Sequence, residues 1–159
     1  MTDDLCVLGV DPGLTGAIGF YFPARPELIS AEDMPTVGKV VDAATLARRI
    51  AAMAPALAVM ELVSARPGQG VSSMFNFGHA AGTVRGVLAA LQIPTRLVTP
   101  GVWKRHWRLD ADKERARALA LLMWPASSHF SRKMDHGRAE AALVARYGAE
   151  VLLGRDGAA

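Results

Sequence analysis

The sequence has little of what several common classes of protein require. It holds one cysteine, Cys6, which cannot form an internal disulfide, and we expect a reducing compartment. No apolar run reaches membrane-spanning length, and no signal peptide is predicted. There is no Walker loop, no Gly-x-Ser-x-Gly elbow and no zinc-type spacing of His and Cys. We therefore expect a protein without membrane contact, in a reducing compartment such as the cytoplasm or an organelle.

Basic residues, in contrast, are concentrated in the second half of the chain. The formal net charge is only +3. The later half nevertheless contains Lys104, Arg105, Arg108, Lys113, Arg115, Arg117, Arg132, Lys133 and Arg138. A basic region on a modestly charged domain is typical of contact with a phosphate backbone, although a solvated helix surface has the same composition.

Apolar runs and turn residues predict one mixed α/β domain over residues 1–159, with a frayed tail at about 154–159. Strands are predicted at 5–10, 16–22, 27–34, 57–63 and 93–98. Helices are predicted at 43–53, 71–91, 112–124 and 135–153, with a further helix start at Thr99 and Pro100. The predicted order is β-β-β-α-β-α-β-α-α.

The helix predicted at 71–91 carries a stripe of glycines, at Gly78, Gly82 and Gly86. Because glycine costs about 1 kcal/mol in a helix interior, the stripe indicates another backbone in close approach. That neighbour is the protein's own sheet, another helix or a second subunit. The apolar face of the helix is predicted to contain Met74, Phe77, Gly78, Ala81, Val84, Leu88 and Leu91.

Four acidic residues are candidates for a metal site. Asp11 ends the first apolar strand, and Glu61 interrupts the strand at 57–63, where an unpaired charge is costly. Asp135 and Glu140 lie at the start of the last helix. Carboxylates converging from different elements suit Mg²⁺, and two such ions can act on both sides of a phosphodiester. Simpler roles are a turn cap for Asp11, an arginine partner for Glu61, a helix cap for Asp135 and a solvent-facing Glu140.

The spacing within the last helix limits how these acids can meet. Asp135 and Glu140 are five residues apart, so they converge only if Asp135 lies at or before the helix start. His136 and Glu140 are one turn apart and share a face of the helix.

Several segments, in order along most of the chain, resemble RuvC-type Holliday junction resolvases. They are Leu8–Ala17, Val59–Val63, Ser73–Gly78, Val98–Lys104, Asp112–Lys113 and Arg132–Ala145, the last being most similar to the phage-like and chloroplast version. The resemblance implies an RNase H-like fold, with a mixed five-stranded sheet flanked by helices. It also implies a metal-dependent endonuclease that makes paired cuts in a four-way DNA junction and leaves 5′-phosphate and 3′-hydroxyl ends.

The resemblance implies that Asp11, Glu61, Asp135 and Glu140 hold two Mg²⁺ ions, for which Mn²⁺ can substitute. Many RuvC-type proteins carry the last two acids three residues apart, but Gly137 occupies that position here. Either Asp135 or His136 then completes the site. We favour Asp135, because an anionic ligand suits Mg²⁺ better than imidazole does.

The resemblance also implies the partners. Paired cuts in a four-way junction predict a C2 homodimer, with the glycine stripe as its interface. Phe75 and Phe77 are candidates to wedge between bases, or else they are core residues. Phosphate contacts are expected from Lys104, Arg105, Lys113, Arg132, Lys133 and Arg138. Whether a branch-migration partner exists is left open.

Two other functions compete with this interpretation. One is a non-catalytic protein that binds branched DNA and has kept the fold. The other is an actin-like or sugar-kinase domain, which uses an Asp-x-Gly-x-Thr turn like that at Asp11–Thr15 to bind phosphate. Proteins of the second kind need two such domains, and this chain is short for that.

Overall fold

A computed structural model of the protein describes residues 5–62 and 64–153. Within these ranges the strands are β1 (Val7–Asp11), β2 (Ala17–Tyr21), β3 (Ile29–Asp33), β4 (Thr36–Val37), β5 (Val40–Val41), β6 (Leu57–Glu61) and β7 (Thr95–Val98). The five longer strands form one sheet in the order β3-β2-β1-β6-β7. β1, β6 and β7 run parallel, while β2 is antiparallel to both of its neighbours. The predicted mixed five-stranded sheet is confirmed.

The helices are α1 (Ala43–Met53), α2 (Val71–Ala90), α3 (Pro100–His106), α4 (Lys113–Met123) and α5 (His136–Tyr147). A 3₁₀ turn, Lys133–Asp135, precedes α5, and a π-helical turn, Gly148–Leu152, follows it. The carboxylates of Asp42 and Asp112 cap α1 and α4 by accepting hydrogen bonds from the backbone N–H groups of Thr45 and Glu114. Over the described ranges, none of these helices is long and apolar enough to cross a membrane.

The observed elements differ from the predicted ones mainly at their ends. β3 and β7 are each shorter than the predicted strands at 27–34 and 93–98. β6 ends at Glu61, while Val63 and the predicted frayed tail at 154–159 lie outside the described residues. Three helices, not two, follow β7, because α3 is a complete helix. The β4–β5 hairpin escaped prediction because strands of two residues show no periodicity.

Helices cover both faces of the sheet, and the alternation of side chains along each strand decides which helix a residue faces. Val7, Leu57 and Val59 pack in one core with residues of α4 and α5. Leu8 and Val10 pack in the other core with residues of α1 and α2. The odd-numbered positions of β1 and β6 therefore face α5, and the last such position on each strand is an acid.

Helix α5 lies directly against the backbone of the sheet at two glycines. A Cβ atom at Gly9 would collide with the carbonyl oxygen of Ala141 and the amide nitrogen of Ala145. A Cβ atom at Gly19 would lie 2.8 Å from the amide nitrogen of Ala142. Glycine on the strands and alanine on the helix thus allow an approach that larger side chains would block.

The glycine stripe of α2 does not pack on the protein's own sheet or on another of its helices. The buried residues of α2 are Ala80, Ala81, Val84, Val87 and Leu88. A Cβ atom at Gly78, Gly82 or Gly86 would meet nothing within 4 Å among the described residues. The stripe faces outward, so the interpretation as packing within the domain is wrong. Gly78 also does not belong to the buried face predicted for this helix, because it is exposed.

Candidate active site

Three of the four candidate acids converge at one end of the sheet. In the parallel ladder Val10 pairs with Met60, so the next residues, Asp11 and Glu61, lie side by side. Helix α5 brings Glu140 to the same place, and Glu140 is only 6% exposed. One carboxylate oxygen from each of Asp11, Glu61 and Glu140 lies within 4.8 Å of the others. We call these three residues the carboxylate cluster.

The carboxylate cluster is short of positive charge. Burial, and then the charges of Glu140 and Glu61, raise the pKa of Asp11 well above its usual value, and Lys113 and Lys104 only partly oppose this. Burial and the charge of Glu140 also raise the pKa of Glu61, again against Lys104. Acids with raised pKa values that share one site ionise fully only when a cation compensates them, as a bound metal does.

Lys104 is the cation that approaches the cluster from α3. Its Nζ lies 4.0 Å from Oε1 of Glu140 and 5.5 Å from the ring centre of Trp103. Trp103 is fully buried; its Nε1 makes no hydrogen bond of ordinary geometry within the described part of the chain, but it lies close enough to Glu61 to help lower the pKa of that acid. The Lys104 ammonium thus makes a cation–π contact with Trp103 as well as an ion pair with Glu140.

Asp135 lies outside the carboxylate cluster. Its buried carboxylate accepts hydrogen bonds from the backbone N–H of Arg132 at 2.8 Å, and from Nε and Nη2 of the same arginine at 2.9 and 2.7 Å. Burial opposes its ionisation, but these hydrogen bonds outweigh burial and lower its pKa. Asp135 therefore caps the 3₁₀ turn, and its role as a metal ligand stays a prediction.

The next two residues, His136 and Gly137, lie differently relative to the carboxylate cluster. His136 is half-buried, and its Nδ1 lies 3.4 Å from the carbonyl oxygen of Lys133. Gly137 faces the cluster: a Cβ atom there would lie 3.5 Å from Oδ2 of Asp11 and 3.2 Å from the carbonyl oxygen of Thr15. Gly137 therefore lies directly against the turn after β1, with little room for a side chain next to Asp11.

A cleft of about 760 Å³ opens above the carboxylate cluster. The turn after β1 forms one wall, where Gly13 has a φ of +125° and a Cβ atom would lie 2.9 Å from the ring of Phe77. Phe77 is therefore a half-buried part of the cleft wall. Phe75 is 71% exposed and stacks on His79 at 6.3 Å between ring centres, so the interpretation of Phe75 as a core residue is wrong.

The predicted phosphate-binding residues fall into three groups. Lys104 and Lys113 line the cleft. Arg105 and Lys133 are exposed and lie outside its lining. Arg132 and Arg138 are held by acids. Nε and Nη2 of Arg138 donate to Asp33 at 2.8 and 3.1 Å, and Nη2 of Arg132 lies 3.9 Å from the same carboxylate.

Sequence reasoning missed Asp33. Like Asp11, it ends a strand, and that position was the available signal. The position of Asp33 relative to Asp11 depends on the register of the sheet, in which Asp33 pairs with Ala17 and Ala17 pairs with Asp11. Asp33 therefore lies two strands from Asp11 at the same end of the sheet.

No protein-family model matches the chain, and no curated protein matches its sequence. Its fold is similar to that of T. thermophilus RuvC in complex with a Holliday junction substrate, with 19% identity, a TM-score of 0.67 and 98% of both chains covered. It is also similar to the Fowlpox virus resolvase in complex with Holliday junction DNA, with 10% identity, a TM-score of 0.53, and 94% and 99% of the chains covered. The yeast mitochondrial Holliday junction resolvase shares 18% identity at a TM-score of 0.52, over 96% of this chain and 82% of its own. The protein thus shares the fold of these resolvases.

Proposed function

We propose that this protein is a crossover junction endodeoxyribonuclease. It cuts four-way DNA junctions by paired hydrolysis of phosphodiester bonds and leaves 5′-phosphate and 3′-hydroxyl ends. The observation that carries the proposal is the convergence of Asp11, Glu61 and Glu140 at the floor of an open cleft. Two of the similar folds belong to resolvases solved with Holliday junction DNA, which supports a four-way junction as the substrate.

The carboxylate cluster fits Mg²⁺, with Mn²⁺ as a substitute. Its donors are all carboxylate oxygens, which hard divalent cations prefer, and the raised pKa values of Asp11 and Glu61 indicate a deficit of positive charge. Two ions per site, when bound, would supply an activated water and charge neutralisation at the leaving 3′-oxygen. The protein's part is to hold the three acids together before the metal arrives, and the sheet and α5 do so.

The walls of the cleft suit a DNA backbone. A phosphate moving toward three carboxylates is repelled, and Lys104 and Lys113 offset that repulsion because they line the approach. Phe75 projects into solvent at the start of α2, where an apolar ring could insert between unstacked bases at a crossover. Phe77 instead shapes the turn that carries Asp11.

We further propose a C2 homodimer that forms through the outward glycine face of α2. Gly78 and Gly82 line a groove of about 230 Å³ together with Leu62 and Leu97. These two leucines are 42% and 40% exposed, so an apolar surface adjoins the glycines. A two-fold dimer would present two carboxylate clusters to a junction that itself has approximate two-fold symmetry. The protein would then act as a single RNase H-like domain per subunit, in the cytoplasm.

The fourth ligand is a choice between Asp135 and His136. Asp135 is held by Arg132, whereas His136 lies one helical turn before Glu140. Measuring Mg²⁺-dependent cleavage by His136→Ala and Asp135→Asn decides between them. Only the variant that has lost a ligand should require a raised Mg²⁺ concentration for half-maximal cleavage.

The proposal is tested by cleavage mapping on a synthetic mobile four-way junction, with and without Mg²⁺. We expect symmetric paired cuts that can be religated, and none in a chelator. Glu61→Gln should abolish cutting, whereas Glu32→Gln, the same change on the other face of the sheet, should preserve it. Junction binding without cutting by the wild type would indicate a non-catalytic junction-binding protein. Nucleotide binding without junction binding would indicate the actin-like alternative.

A further inference from the structure

We propose that Asp33 is a specificity-determining residue, which holds Arg138 away from the DNA backbone and so weakens binding to plain duplex more than binding to a junction. This inference rests on the proposed function, since it concerns how the same site treats different DNA. Nothing in the resemblance assigns a role to Asp33.

The geometry is that of a closed ring of two acids and two arginines. Arg138 donates to both carboxylate oxygens of Asp33, at 2.8 and 3.1 Å, which is the bidentate arrangement. Arg132 binds Asp135 at 2.7 Å and lies 3.9 Å from Asp33. Arg138 also lies 4.0 Å from Asp135, so each arginine is shared between the two acids. The ring is electrically neutral, although it contains two of the expected DNA-binding cations.

The ring residues do not line the cleft, but they lie at the same end of the sheet as the carboxylate cluster, where we expect DNA bound in the cleft to extend. Asp33 faces α5 at the same sheet end as Asp11, and Arg138 lies two residues before Glu140 on α5. Only 21% of the Arg138 side chain is exposed, whereas 64% of the Asp33 side chain is. A phosphate approaching Arg138 therefore meets the Asp33 carboxylate first, and like charges repel.

This arrangement affects the two kinds of DNA differently. Binding to a plain duplex consists essentially of phosphate contacts, and the protein can slide until a released arginine finds a phosphate. At a junction the crossover fixes the position of the protein, so a released arginine gains a contact only if a phosphate happens to lie in reach. Release of Arg138 should therefore favour the duplex more than the junction.

The test compares Asp33→Asn with Glu32→Gln in equilibrium binding to a linear duplex and to an immobile junction, at several salt concentrations. Both variants remove one negative charge at adjacent residues of β3, but Glu32 pairs with Arg49 at 3.0 Å on the opposite face of the sheet. We expect Asp33→Asn to tighten duplex binding about two- to fivefold, the scale of a half-exposed ion pair. Its salt slope should steepen by about 0.9, the value for one phosphate contact. The ratio of duplex to junction dissociation constants should fall, and Glu32→Gln should leave it unchanged.

Arg138→Gln provides an independent arm that does not depend on the stability of the Asp33 variant. Alone it should change duplex binding less than twofold, because Arg138 is already engaged, and in the Asp33→Asn background it should cancel the gain. An equal effect of Arg138→Gln in both backgrounds, or equal ratios for Asp33→Asn and Glu32→Gln, would overturn the role of Asp33. Either result could occur while the wild type still cuts junctions, so the proposed function would stand. A wild type that binds no DNA would instead remove the proposed function.

Discussion

Replacement of Asp11 by asparagine should make the metal-free protein more stable while abolishing cleavage. Asp11 is surrounded by Glu61 and Glu140, and burial adds to their repulsion, so its charged form is disfavoured in the folded protein. Asparagine keeps the shape of the side chain and removes the charge. The function of the site and the stability of the fold thus make opposite demands on this position.

The raised pKa of Asp11 gives the sign of the effect, and the usual cost of an uncompensated buried charge gives its scale. Each unit by which folding raises a pKa corresponds to about 1.4 kcal/mol against the ionised form at neutral pH. Because the pKa of Asp11 lies well above its usual value of 3.8, we expect Asp11→Asn to raise the free energy of unfolding by about 1–3 kcal/mol at pH 7. Below the unfolded-state pKa the wild-type acid is protonated in both states, so the advantage of the variant should disappear there. It should grow as the pH rises from the unfolded-state pKa and become constant above the folded-state pKa.

Thermal unfolding in a chelator, between pH 3.5 and 8, measures this prediction. For a domain of this size 1 kcal/mol corresponds to about 2–4 °C in Tm. Addition of Mg²⁺ should raise the Tm of the wild type and leave that of Asp11→Asn nearly unchanged, because the ligand set is broken. Cleavage of a four-way junction should be lost in the variant, while junction binding is kept.

Asp135→Asn provides a control of opposite sign. The hydrogen bonds from Arg132 outweigh burial and lower the pKa of Asp135, so its charge stabilises the folded state at neutral pH, and that contribution is lost as the pH falls through the folded-state pKa. Asparagine at this position should lower the Tm at pH 7. A metal-free Asp11→Asn protein that is less stable than the wild type at pH 7 would refute the electrostatic account of the carboxylate cluster.

Other predictions concern single positions. Gly9→Ala should destabilise the protein by at least about 3 kcal/mol in chemical denaturation, because its Cβ atom would collide with the backbone of α5. Phe75→Ala should leave the Tm within about 1 °C, since an exposed ring contributes little to folding, and should weaken junction cleavage; Phe77→Ala should lower the Tm. Lys133→Ala should reduce the salt slope of DNA binding by about one phosphate contact. Burial raises the pKa of the Cys6 thiol to about 11, so a thiol reagent at pH 8 should modify it only after unfolding.

The sequence allowed prediction of the acids on the strands better than that of the acids on the helix. Asp11 and Glu61 follow apolar strands, and such strands end at the same edge of a parallel pair. Near the start of the last helix the sequence contains Asp135, His136 and Glu140. Their spacing allows either Asp135 or His136 to complete the metal site with Glu140. Arg132 decides the placement of Asp135, since it lies three residues earlier and binds the carboxylate across one turn. That pair could have been recognised in the sequence, because residues three apart meet on a helix.

The positions of Asp33 and of the glycine stripe in the fold could not have been predicted from the sequence in this way. The position of Asp33 relative to Asp11 depends on β2 lying between β3 and β1, and strand order is a property of the whole sheet. The repeat of Gly78, Gly82 and Gly86 shows that one side of α2 is smooth, but not what lies against it. Only the packing of Val84 and Leu88 into the core turns that smooth side outward.

The contact of α5 with Gly9 and Gly19 limits how far α5 can shift without disrupting the carboxylate cluster. An α-helix rotates about 100° and rises about 1.5 Å per residue, so a slip of one residue would turn Glu140 away from Asp11. Backbone against backbone leaves no flexible side chain to absorb such a slip. Insertion of one residue between Glu140 and Ala141 would therefore turn Glu140 away from Asp11 and dismantle the carboxylate cluster even if the fold survived. The arrangement of the carboxylate cluster thus depends on the rotation of α5 about its own axis.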